Sequence, residues 1–205
     1  CMGSPVNLRG VSNLLDDICG YFPSPDKRPC NGISQKTNDI FEANYDFSKS
    51  KSAYVWKTIV DPFLGKYSLI KVASGVIKSD DTLLNVEKGG EERLNKLYVL
   101  EGSKPYEVSE LHAGDIGAIA KLNSVQTGDS LAAKTAPVLY PKAVISTPYT
   151  CKRYKAVKKG DEDKISQALA KMTSEDKTLR AENDSANTQT LLYGMGDQHL
   201  DIVVN

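Results

Sequence analysis

The chain of 205 residues carries 26 basic (Lys, Arg) and 26 acidic (Asp, Glu) side chains, so its formal net charge is zero. A hydrophobic fraction of 40% and a charged fraction of 25% are typical of globular proteins and exclude a disordered chain. Zero net charge also excludes attraction to polyanions by the molecule as a whole, so any nucleic-acid contact requires a local basic patch. The length allows one or two domains.

The cysteines and histidines form no pattern that is typical of a metal site. The four cysteines are Cys1, Cys19, Cys30 and Cys151. None stands in a Cys-x-x-Cys pair, and neither histidine is spaced to complete a zinc site, so we expect no metal ligand and no catalytic residue among them. Disulfides would suit a secreted protein, but no signal peptide precedes the cysteines, so reduced thiols and a cytoplasmic location are predicted. No apolar run approaches the roughly 18 residues of a membrane span.

The first predicted element is an amphipathic helix over residues 8–22. Its apolar residues recur at spacings of three and four, and they are Val11, Leu14, Leu15, Ile18, Cys19 and Phe22. Prolines at 23, 25 and 29 end the helix in a stiff linker. We therefore expect residues 5–29 to be the last helix of a preceding domain with its linker, and residues 1–4 to be an added expression start.

A run of short strands follows. Residues 30–52 are polar and aperiodic, which predicts a linker or an extended arm. Beyond them the predicted strands are 53–60, 67–77, 82–86, 93–100, 106–108, 115–122 and 130–132. Because turn residues separate these runs and no helix intervenes, residues 53–136 are predicted to form a closed antiparallel β-barrel.

Residues 137–205 predict an α/β unit. A strand at 143–150 precedes a helix that starts at Asp161, two strands at about 178–183 and 188–193 flank a hairpin turn, and a second helix starts at 197. This order is β-α-β-β-α, one strand short of the ferredoxin-like pattern. The predicted fold class is therefore mixed: an antiparallel β-barrel followed by a partial ferredoxin-like α/β domain, cut off before its last strand.

Five short runs line up, in chain order, with motifs of one family. They are Asp-Pro-Phe-Leu-Gly-Lys (61–66), Leu-His-Ala-Gly-Asp-Ile-Gly-Ala (111–118), Val-Gln-Thr-Gly-Asp-Ser-Leu (125–131), Ala-Leu-Ala-Lys-Met-Thr-Ser-Glu-Asp (168–176) and Gly-Met-Gly-Asp-Gln-His-Leu-Asp-Ile (194–202). Each resembles a motif in the second or third domain of translation elongation factor G. The motif residues to which we assign structural roles are Asp61, Gly65, Lys66, Gly114, Asp115, Gly128, Asp129, Gly194, Gly196 and His199. The chain departs from the family pattern at Lys177 and Gln198, as a divergent paralogue would.

The resemblance implies the middle portion of a ribosome-dependent GTPase. The family's second domain is a translation-factor barrel that docks on the small ribosomal subunit, and its third lies between the nucleotide switches and the ribosome. Since no G-x-x-x-x-G-K-[ST] run occurs, GTP and magnesium are expected to bind in a preceding domain, and this stretch is expected neither to bind nor to hydrolyse GTP. The implied partners are the ribosome and the protein's own GTPase domain, with no membrane and a monomeric state.

One local basic cluster is the candidate contact with ribosomal RNA. It comprises Lys152, Arg153, Lys155, Lys158 and Lys159, interleaved with Tyr149 and Tyr154. The lysines and the arginine would contact phosphates while the tyrosines stack on exposed bases. Equally, these charges would protect a solvated edge strand against aggregation. The sequence leaves both interpretations open.

Three other functions compete with the translocation factor. A ribosome-protection factor shares the architecture, a stand-alone adaptor would bind RNA through the barrel, and an enzyme would need a site that the sequence does not reveal.

The glycines at 194 and 196 open a helix, as in dinucleotide-binding folds. However, His199 takes the place of the third glycine and Asp197 would repel phosphate, which disfavours that interpretation.

Overall fold

The computed structural model describes residues 2–24, 27–28, 30–61, 65–102, 104–122, 124–158, 160–184 and 189–204. Its elements in chain order are α1 (Val11–Tyr21), β1 (Asn31–Ser34), β2 (Ile40–Glu42), β3 (Ser52–Asp61), β4 (Gly65–Ser74), β5 (Val76–Lys78), β6 (Thr82–Asn85), β7 (Glu91–Arg93), β8 (Leu97–Glu101), β9 (Lys104–Val108), β10 (Glu110–His112), β11 (Ile116–Ala120), β12 (Ser130–Ala132), β13 (Val138–Leu139), β14 (Thr150–Tyr154), α2 (Glu162–Glu175), β15 (Arg180–Asp184), β16 (Gln189–Gly194) and α3 (Asp197–Val204). Residues 62–64 of the first family motif and residues 185–187 of the predicted hairpin turn lie outside the described residues.

The barrel unit is a curled antiparallel sheet of eight strands in the order β7-β6-β12-β3-β4-β11-β8-β9, accompanied by the pair β5-β10. Its core consists of fully or almost fully buried apolar side chains, among them Val55, Ile70, Ile77, Leu83, Leu97, Leu111, Ile119 and Leu131. Alternation along each strand points these residues inward. The predicted antiparallel barrel architecture is thus confirmed, but the described strands form a curled half-barrel rather than a closed barrel. The predicted strand 93–100 is two strands, because the chain leaves the sheet between β7 and β8.

A separate three-stranded sheet, in the order β13-β1-β2, packs against the barrel. The prediction of a linker or arm at 30–52 missed its two strands, which pair from Asn31↔Glu42 to Ile33↔Ile40. Their third partner is far away in sequence, since Ile33 pairs with Leu139. Such a short polar hairpin lacks a local hydrophobic pattern and is fixed by this distant partner.

The α/β unit has a sheet in the order β14-β16-β15, with β16 antiparallel to both neighbours. One face is covered by α2 and α3, whose Leu169 and Leu200 join Leu179 and Leu192 in a small core. The predicted β-α-β-β-α order is confirmed.

The predicted strand at 143–150 is wrong, because the strand of this region is β14. Val144 and Ile145 have the β-branched side chains of a strand, but residues 141–149 form no ladder. Pro148 has no backbone N–H to donate. This segment instead runs along the barrel, where the Ala143 N–H donates to the Tyr54 hydroxyl at 3.3 Å.

The predicted N-terminal helix is confirmed as α1, which starts after Gly10 in the left-handed conformation (φ 73°). None of its side chains is buried. Leu14, Leu15 and Ile18 of the predicted apolar stripe are 43–57% exposed. None of the described helices has the length and hydropathy that a membrane crossing requires.

Candidate nucleic-acid interface

The predicted basic cluster is divided between the two faces of the sheet of the α/β unit. Successive side chains of β14 point to opposite faces, so Lys152 and Arg153 lie on different sides. Lys152 faces the helices, where its Nζ lies 2.6 Å from Asp201 Oδ1 and 3.7 Å from Asp197 Oδ1. The hydrogen bond with Asp201 raises the pKa of Lys152. Lys152 is therefore already paired with carboxylates of α3.

The other face of this sheet, which no described helix covers, carries Arg153, the other basic side chain of β14. Arg153 is exposed, and so are Lys155 and Lys158 in the segment that follows, whereas Lys159 lies outside the described residues. We call this side the open face of the sheet. Three of the five predicted contacts are thus exposed to a partner.

The predicted tyrosines do not accompany these charges. Tyr154 points to the helical side, where it packs against the core around Leu169. Tyr149 is exposed but lies before β14. On the open face the aromatic side chain is Tyr193, which pairs with Cys151 on one side and Arg180 on the other. The Arg180 guanidinium lies 4.5 Å from the centre of the Tyr193 ring.

Sequence reasoning missed Tyr193 and Arg180, although a signal existed. In the predicted strand 188–193, alternation places Tyr193 opposite to the buried Leu192 and therefore on the open face. Arg180 also donates to Glu182, with 3.0 Å between Nε and Oε1. A guanidinium over an aromatic ring, with a second exposed arginine nearby, is an arrangement that can stack on bases and contact phosphates.

Among the barrel motifs, Asp129 holds a tight turn together. Its buried Oδ2 accepts hydrogen bonds from the Gln126 N–H at 2.9 Å and from Asn85 Nδ2 at 2.8 Å, and Lys88 Nζ lies 3.3 Å away. Gly128 before it has a φ of +95°, which favours glycine. These contacts give Asp129 a structural role in the turn.

The other barrel motifs also lie at turns. Asp115 Oδ2 accepts the His112 N–H at 2.8 Å, and Gly114 between them has a positive φ of 98°. Asp61 and Gly65 form the last pair of the β3–β4 ladder, on either side of residues 62–64.

The Lys66 side chain points inward, and its Nζ donates a hydrogen bond to the Val125 carbonyl oxygen. Burial lowers the pKa of Lys66 most, and the neighbouring charges of Lys88 and Lys177 lower it further. Lys177 belongs to the α/β unit, so the pKa of this barrel lysine is influenced by a charge of the other unit.

The last motif is a hydrogen-bonded strand-to-helix junction. His199 Nδ1 accepts the Met195 N–H at 3.2 Å, and its Nε2 lies 3.1 Å from Asp176 Oδ2. A Cβ on Gly194 would lie 2.7 Å from Leu200 Cδ2, so glycine lets α3 approach the sheet, whereas Gly196 has open space around it. The histidine thus ties the start of α3 to the end of α2.

Asp176 at this junction also accepts hydrogen bonds from Thr178, at 2.8 Å from its N–H and 2.6 Å from its hydroxyl. Partial burial, the largest single influence, raises the pKa of Asp176. The bonds from Thr178 and the nearby His199 together outweigh it and leave the pKa below its ordinary value. The folded state therefore favours the ionised carboxylate.

A carboxyl group whose pKa is lowered by folding stabilises the protein above its unfolded pKa, and the contribution is lost as the pH falls through the folded value. We expect Asp176→Asn to lower the free energy of unfolding by about 1 kcal/mol at pH 7. The difference from the wild type should shrink below about pH 4. Urea titrations between pH 3 and pH 7 measure it, with Asp39→Asn in an exposed turn as the control. A difference that stays constant down to pH 3 would contradict this linkage.

Comparison with known proteins bears on both units. The family model for elongation factor G domain 2 matches residues 50–134, and the model for elongation factor G domain III matches residues 145–205. Elongation factor G of Karelsulcia muelleri (strain GWSS) is 34% identical over 204 residues, which cover 99% of this chain. The chain belongs to the elongation factor G family. The predicted family is thereby confirmed.

A solved structure agrees with this elongation factor G assignment. A crystal structure of a Thermus thermophilus protein superposes with a TM-score of 0.73 at 28% identity, over 95% of this chain. This chain spans 27% of that structure's chain and 29% of the Karelsulcia elongation factor G. The curled barrel and the α/β unit correspond to domains II and III of the family. The finer domain boundaries remain predictions.

Proposed function

We propose that this chain is the non-catalytic middle portion of a ribosome-dependent translational GTPase that drives translocation in protein synthesis. The observation that carries the proposal is the match of two elongation factor G domains, in order, to the two folded units. The parent protein would hold GTP and magnesium in a preceding domain and work as a monomer in the cytoplasm. Its partners would be the ribosome and its own GTPase domain.

The exposed face of α1 supports a preceding GTPase domain. Leu14, Leu15 and Ile18 form an apolar stripe that no described residue covers. An amphipathic helix is normally stabilised by burying such a stripe. In the proposed parent, this helix packs on the GTPase domain, and a change of nucleotide shifts the population between two arrangements of the domains.

The direct test uses the full-length protein expressed from its gene. Hydrolysis of GTP should be slow alone and strongly stimulated by ribosomes, because catalysis in such factors depends on contacts made on the ribosome. A translocation assay then separates this function from ribosome protection. Absence of a phosphate-binding loop in the reading frame upstream, or hydrolysis that ribosomes do not stimulate, would contradict the proposal and favour an adaptor.

At residue level, we propose that Arg153 on the open face, with Lys155 and Lys158 in the segment after β14, contacts ribosomal RNA. Exposure of these three side chains supports the proposal, while Lys152 is the least suited of the cluster because α3 already neutralises it. The role of Lys159 is a prediction from sequence. Protection of a free strand edge would need the same charges but no partner.

We expect the double variant Arg153→Glu, Lys155→Glu to weaken ribosome binding of the full-length protein on the order of tenfold, since phosphate contacts are lost. The slope of log K against log salt should fall by roughly one per lost contact. The control is Lys164→Glu, Lys171→Glu, which makes the same charge change on exposed positions of α2. Equal affinities of the two double variants would remove the RNA role and leave edge protection.

A further inference from the structure

Strand β3 has a backbone donor near its end that is satisfied from the other unit. β12 pairs with β3 only at residues 52–54, whereas β4 pairs with it as far as Asp61. The far half of β3 therefore has one edge along which no described strand pairs with it. On this half the Val60 N–H donates to Oε1 of Glu175, the last residue of α2. A side chain of the α/β unit thus accepts the hydrogen bond that a neighbouring strand would otherwise accept.

The next residue ties this contact to the rest of the α/β unit. Asp176 binds Thr178 before β15 and His199 at the start of α3. The end of α2, the entry to β15 and the start of α3 therefore form one hydrogen-bonded block. A contact made by Glu175 therefore restrains these three elements together, and not only the end of α2.

The junction around Glu175 is open rather than close-packed. Beside it lies a cleft of about 550 Å³ between barrel residues that include Trp56, Thr58 and Thr127 and residues 175–178 of the α/β unit. Close-packed interiors resist rearrangement, and an open cleft does not. Across the same junction the charge of Lys177 contributes to the lowered pKa of Lys66. The cleft therefore leaves room for a rotation of one unit against the other.

We propose that Glu175 is a latch that sets the orientation of the α/β unit relative to the barrel. Its hydrogen bond to the Val60 N–H is the contact that holds the end of α2 against the far half of β3. When the bond breaks, the block turns away from β3 and the cleft widens. That this movement links the nucleotide state to the ribosome rests on the proposed function, whereas the latch is a property of this chain alone.

The latch is tested by Glu175→Ala in this chain, with Glu175→Gln as a variant that keeps an acceptor oxygen. Asp163→Ala removes one acidic group from the exposed first turn of the same helix and is the control. Amide exchange measured by NMR should be about tenfold faster at Val60 in Glu175→Ala, because local opening is easier. Residual dipolar couplings should show a broader distribution of orientations between the two units. Glu175→Gln should retain most of the protection and of the fixed orientation.

The sole tryptophan of the sequence, Trp56, lines the cleft and gives a second readout. Quenching of its fluorescence by acrylamide should increase in Glu175→Ala and stay unchanged in Asp163→Ala. If exchange at Val60 and the orientation are the same in Glu175→Ala and the wild type, the latch does not exist. If both change while the full-length protein shows no ribosome-stimulated GTP hydrolysis, the latch stands and the proposed function fails.

Discussion

Replacing Gly75 by alanine lowers the free energy of unfolding by about 2–5 kcal/mol, because two costs add at this position. Gly75 links β4 to β5 with a φ of +71°, where a side chain is strained. A Cβ there would also lie 2.7 Å from the Lys49 carbonyl oxygen and 2.7 Å from the Lys51 Cα. These are backbone atoms that cannot turn aside, so the segment before β3 has to shift.

Gly65→Ala is the matched control for this loss. Gly65 has a φ of +83°, but a Cβ added to it meets nothing within 4 Å. Only the conformational cost of about 1–2 kcal/mol applies there. Urea denaturation of both variants measures the difference. Equal losses would mean that the contact with Lys49 and Lys51 relaxes without cost.

Ile70→Ala should cost about 2–5 kcal/mol, since it leaves a cavity in the centre of the barrel core. Ile70 lies in the middle of β4 between β3 and β11, and it is 0% exposed. Thermal or urea unfolding provides the measurement. Ile116→Ala on the neighbouring strand, where the side chain is 56% exposed, is the control and should change stability by about 0.5 kcal/mol or less. A loss below about 1 kcal/mol for Ile70→Ala would show that the core collapses around the gap.

The barrel strands and α2 could be predicted because short stretches of sequence determine them. Short runs such as the one around Ile70, bounded by turn residues, predicted the strands of the barrel, and helical spacing around Leu169 predicted α2. The hairpin β1-β2 could not be predicted in this way, because Ile33 finds its partner Leu139 more than a hundred positions later. The misplaced strand at 143–150 has the same cause, since β propensity does not say whether a neighbouring strand is available.

In the candidate site, too, local features could be predicted from the sequence and contacts between distant residues could not. Alternation alone separates Lys152 from Arg153, so the division of the basic cluster was available from the sequence. The ion pair between Lys152 and Asp201 could not be predicted, because it depends on how α3 packs over the sheet. The contact of Glu175 with Val60 joins residues 115 positions apart and has no signature in the chain.

Binding of this chain to isolated small ribosomal subunits tests the central claim most directly. In co-sedimentation at low salt, the chain should bind saturably, dissociate as salt is raised, and be displaced by intact elongation factor G, because both would occupy one site. Absence of binding at low salt, or binding that intact elongation factor G does not displace, would contradict the assignment of these two units to a ribosome-acting GTPase.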